Sequence, residues 1–72
     1  MAQHRVIKML TKTYEAQREK ALMTFDLLID HPAGIGDHST SDFYKNAEEA
    51  AVALAESEDV LETLKRHFGK YE

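Results

Sequence analysis

The chain has 72 residues, 43% aliphatic, aromatic or sulfur-bearing and 31% charged, with a formal net charge of −4. This length predicts a single domain, 1–72, and the balance is that of a folding polypeptide rather than a disordered tail. The lack of cysteine excludes disulfide scaffolds, thiolate zinc sites and cysteine nucleophiles, and the acidic balance speaks against duplex nucleic acid as a partner.

From the amino terminus, Met1 to Arg5 lead into no apolar leader-like run, and no segment nears the ~18 consecutive apolar residues that a membrane span requires. The expectation is therefore a protein with neither a secretory signal nor a membrane span. The first periodic segment predicts a helix over about 4–30. Its broad apolar face carries Ile7, Leu10, Tyr14, Ala21, Leu22, Phe25, Leu28 and Ile29. A second, thinner stripe of Val6, Met9, Ala16, Met23 and Leu27 is rotated away by roughly a third of a turn or more at about 100° per residue.

Punctuation follows in one place. The only proline, Pro32, and two of the three glycines, Gly34 and Gly36, fall between Asp30 and Asp42. Proline disfavours helix in the residue before it, so the first helix should end near Asp30 or His31. Gly34 and Gly36 permit positive φ, and Ile35 between them is apolar where a solvated turn would need no apolar residue. Ile35 reads best as a plug against Leu28, Ile29 or Phe43. The other reading makes Gly34, Ile35, Gly36 and His38 a small binding rim. His31 and His38, with nearby aspartates, match no zinc-ligand spacing, so no metal site is expected.

Ser39, Thr40, Ser41 and Asp42 can cap a second helix over about 41–68, with Gly69 suited to end it. Phe43, Ala47, Ala50, Leu54, Ser57, Leu61, Leu64 and Phe68 advance by alternating steps of four and three, the seam of a helical pair. The alanines at 47, 50, 51, 53 and 55 allow a neighbour to come close. The fold expected is all-α, an antiparallel two-helix hairpin. So small a core rarely supplies more than ~3–5 kcal/mol. The second stripe, above all Met9, Met23 and Leu27, is therefore expected to mediate homo-oligomerisation into a helical bundle.

Folding back this way gathers Arg5 and Lys8 with Lys65 and Arg66 into a basic pole, a candidate site for phosphate or an acidic partner. Compensation of helix dipoles by the antiparallel neighbour would explain the same layout without a ligand. The hydroxyls of residues 39–41 are explained by capping. Glu15 with Glu19, and Glu56 with Asp59 and Glu62, read as solvated acidic faces. No Glu-x-x-His pair suggests a di-metal bundle, so neither catalysis nor a cofactor is expected.

Three segments together carry a resemblance: Tyr14 to Ala21 (Tyr-Glu-Ala-Gln-Arg-Glu-Lys-Ala), Pro32 through Gly34-Ile35-Gly36-Asp37-His38, and Leu61, Leu64 and Phe68 at the end of an acidic helix. In these the chain resembles small helical proteins encoded by tailed bacteriophages, those of cyanophages among them. The resemblance implies phage origin and expression in the cytoplasm of an infected bacterium, and it brings no catalytic or binding residues. Two functions then compete. One is an oligomeric interaction protein that binds a host or phage macromolecule through its helical faces. The other is an oligomeric sponge that sequesters a phosphate-bearing nucleotide signal of host defence, with Tyr14 or Tyr71 stacking on bases.

Overall fold

The computed structural model describes residues 2–30 and 40–69. Two α-helices of 29 residues each make up the fold, α1 (Ala2–Asp30) and α2 (Thr40–Phe68). Both run within two residues of the predicted boundaries. The connection, residues 31–39, lies outside the described residues, and so do the readings placed on Gly34, Ile35, Gly36 and His38.

Chain reach excludes a parallel side-by-side pair. A 29-residue helix is about 43 Å long, whereas nine linking residues extend at most ~33 Å. The two helices pack against each other, so the second runs back along the first, and the molecule is an antiparallel hairpin 51 Å long and 15 Å across in both other directions.

Ile7 and Ala21 of α1 and Ala50, Ser57 and Leu64 of α2 are buried. Leu10, Tyr14, Phe25 and Leu28 meet them half-buried from α1, as do Phe43, Ala47, Leu54, Val60 and Leu61 from α2. Small residues dominate the middle of this seam. Ala21, Ala50 and Ser57 have no bulk to hold the helices apart, and their burial covers little apolar area. Of the alanines expected to admit a neighbour, Ala50 is buried and Ala47 and Ala53 are half-buried, while Ala51 and Ala55 face solvent.

The seam of α2 follows its four-three spacing, with Phe68 opening to solvent at the helix end. The face of α1 is narrower than its pattern suggests. Leu22 is 40% exposed and Ile29 72% exposed. Each lies about 100° around the helix from a seam residue, Ala21 and Leu28 respectively, and a single partner helix does not cover so wide an arc.

Polar groups fix the pairing. Gln17 Nε2 donates across the interface to the Ala53 carbonyl at 3.1 Å and to Glu56 Oε1 at 2.9 Å. Ser57, fully buried, donates its hydroxyl to the same Ala53 carbonyl at 2.7 Å. The buried Thr11 hydroxyl oxygen finds no partner among the described residues.

Candidate functional site

Among the described residues the surface offers two apolar patches and one basic end. On α1, the stripe expected to mediate self-association is in water. Met9 is 55%, Met23 63% and Leu27 56% exposed, and Val6 and Ala16 beside them are exposed too. The polar members of this face look after themselves. Thr13 donates its hydroxyl to the Met9 carbonyl at 2.9 Å, and the neighbouring Thr24 donates to the Lys20 carbonyl at 2.9 Å. With its hydroxyl satisfied inside the helix, the exposed Thr13 could be covered without losing a hydrogen bond.

The second patch combines both helices. In an antiparallel pair, positions rotated in the same sense from the seam look out on the same flank. Leu22 and Ile29 of α1 are turned roughly a quarter-turn one way, and Tyr44 of α2 slightly further the same way, at about 100° per residue. All three are exposed. Tyr44 stands edge-on to Phe43, ring centroids 5.9 Å apart and planes at 82°, so a residue of the seam steadies a residue of the flank. This patch lies towards the connection. Sequence periodicity missed it because Leu22 and Ile29 were assigned to the core.

At the opposite end lie Arg5 and Lys8 of α1 and Lys65 and Arg66 of α2, all exposed. Arg66 Nη2 donates to Glu62 Oε1 at 3.0 Å, so one of the four cations already has a carboxylate partner one turn away. Tyr14 is half-buried in the helix interface, which withdraws much of its ring from the stacking role considered for it. Tyr71 lies outside the described residues.

The acidic residues do not converge. Glu19, Glu56, Asp59 and Glu62 are exposed, and Glu19 Oε2 sits 3.6 Å from Arg18 Nε. Among the described residues no group of three or more acidic or histidine side chains could hold a metal ion; His31 and His38 lie outside them. Beside Gln17 is an open depression of about 420 Å³ lined by Glu48, Glu49, Val52, Ala53 and Glu56. Its three carboxylates suit neither a phosphate nor an acidic ligand. Among the described residues no helix is long and apolar enough to cross a membrane.

Comparison with known proteins adds nothing to this geometry: no protein-family model, curated protein or solved structure matches the chain.

Proposed function

We propose that the chain is a non-enzymatic interaction protein, a self-associating helical hairpin that binds a macromolecule through its apolar faces. The observation that carries this reading is the exposure of Met9, Met23 and Leu27 on a helix whose opposite side already has its partner. Among the described residues the buried apolar ones are Ile7, Ala21, Ala50 and Leu64, a small core to which covering the α1 stripe adds. The flank of Leu22, Ile29 and Tyr44 then remains for a second macromolecule. The resemblance to tailed-phage proteins supports a host or phage component as that molecule and the cytoplasm of an infected bacterium as the setting.

The test compares two sets of variants. Met23→Gln with Leu27→Gln should reduce the mass seen by light scattering in the micromolar range to that of a monomer while helicity persists. Ile29→Asp with Tyr44→Ser should keep the mass and lose the macromolecule retained from infected-cell extract. A well-folded wild-type monomer refutes self-association, and an unchanged set of retained proteins with Ile29→Asp and Tyr44→Ser refutes the flank.

The exposed cations at residues 5, 8, 65 and 66 favour one competing reading, the nucleotide sponge. Cyclic dinucleotides that raise the melting temperature of wild type, but not of a variant with all four changed to glutamine, would establish it in place of the first.

A further inference from the structure

Resting on the self-association read above, we infer that the second occupant of the α1 stripe is α1 of another copy, laid antiparallel across a two-fold axis near Ala16. The stripe is a complete heptad line. Val6, Met9, Thr13, Ala16, Lys20, Met23 and Leu27 advance by strictly alternating steps of three and four, the repeat that keeps one side of a helix facing a partner over many turns. Val6, Met9, Met23 and Leu27 are exposed across the whole length of it.

The charges beside the line select the partner and its direction. The positions just before Val6, Thr13, Lys20 and Leu27 are Arg5, Lys12, Glu19 and Asp26. All four are exposed, and they read plus, plus, minus, minus along one edge. Positions of this class meet their own kind in an antiparallel pair of helices. Arg5 then faces Asp26 of the second copy, Lys12 faces Glu19, and symmetry repeats both pairs. In a parallel pair the same positions would face the other edge of the line, which carries Leu10, Gln17 and Thr24 and no charge. The pattern is thus self-complementary in one orientation only.

The helix dipole argues the same way from a separate observation. α1 has no acidic residue in its first turn and no basic residue in its last. An antiparallel second α1 sets the carbonyl end of one helix beside Arg5 of the other, where a cation is favourable. Ala16, small and exposed, falls next to the two-fold axis and lets the two helices come close there. The outer face of α2, with Glu48, Glu56, Glu58, Asp59 and Glu62 exposed, would repel its own copy. The assembly therefore has two central α1 helices, each flanked by its own α2.

Charge reversal tests this without touching the hairpin seam. Arg5→Glu with Lys12→Glu, and separately Glu19→Lys with Asp26→Lys, should each weaken self-association at least tenfold by sedimentation equilibrium, with circular dichroism unchanged. Mixing the two variants should restore association as a heterodimer. The four-fold swap, which keeps the net charge of −4, should self-associate within about threefold of wild type. A four-fold swap as weak as either double variant overturns the pairing. So does an assembly insensitive to every charge variant yet broken by Met23→Gln with Leu27→Gln, a result that leaves self-association itself standing. A wild-type monomer removes both.

Discussion

α1 and α2 are equal in length, yet they distribute apolar residues and charges by opposite rules. α2 has one apolar seam and an acidic outer face, with Asp42 in its first turn and Lys65, Arg66 and His67 in its last. Asp42, Lys65 and Arg66 each suit the dipole end they occupy. α1 has two apolar lines on different sides and neither kind of terminal charge. One neighbour covers the seam of α2. The same neighbour leaves α1 with Met9, Met23 and Leu27 in water, so the difference between the helices says where the molecule is unfinished.

The comparison breaks most sharply at the seam. Leu64→Ala, at a buried site of α2, should cost about 2–5 kcal/mol through lost burial and the cavity left behind. Val52→Ala, at an exposed site on the same helix, should change stability by no more than ~0.5 kcal/mol. Urea denaturation followed by circular dichroism measures both. Equal effects would mean that the far side of α2 is covered as well.

Two polar residues of α1 should respond with opposite signs. Gln17→Ala removes the donor shared by Ala53 and Glu56 and should destabilise by about 1 kcal/mol. Thr11→Val replaces an unpartnered buried hydroxyl with a methyl of the same shape and should stabilise by about 1 kcal/mol. A destabilised Thr11→Val would show that the hydroxyl has a partner after all.

The smallest expected effect concerns the helix ends. At a concentration that keeps the hairpin monomeric, Lys65→Gln with Arg66→Gln should destabilise by about 0.3–1 kcal/mol per charge. Arg5→Gln with Lys8→Gln should be neutral or slightly stabilising, because cations there oppose the dipole of α1. Melting curves at low and high salt separate the two pairs, since screening should erase both effects.

What could be read beforehand follows from which signals are local. Pro32, Gly34 and Gly36 mark the break between the helices from sequence alone, and the steps from Phe43 to Leu64 give the seam of α2 because a helix repeats at fixed angle. Leu22 and Ile29 were misplaced because periodicity gives the width of an apolar face and not the position of the helix that covers it. Gln17 and Thr11 carried no signal, since the fate of a polar side chain at a helix interface depends on what the other helix brings opposite. The exposure of Arg5, Lys8, Lys65 and Arg66 was legible from their charge. The exposure of the Met9, Met23 and Leu27 stripe was legible from its angle to the core.

The bonds at the Ala53 carbonyl also decide alignment. The middle of the seam, where Ala21, Ala50 and Ser57 are buried, is smooth, and over that stretch a slide by a heptad changes apolar contact little. Gln17 is what tells one alignment from the next. Shifted by seven residues one way, its amide would sit against Val60 and Thr63, losing the carboxylate and leaving a donor beside an apolar side chain. Shifted the other way, it would come to Asn46 and Glu49 and draw Ala21 away from the small side chains that admit it. One amide thus acts as an index mark on the smooth middle of the seam, favouring a single register by making the neighbouring ones worse.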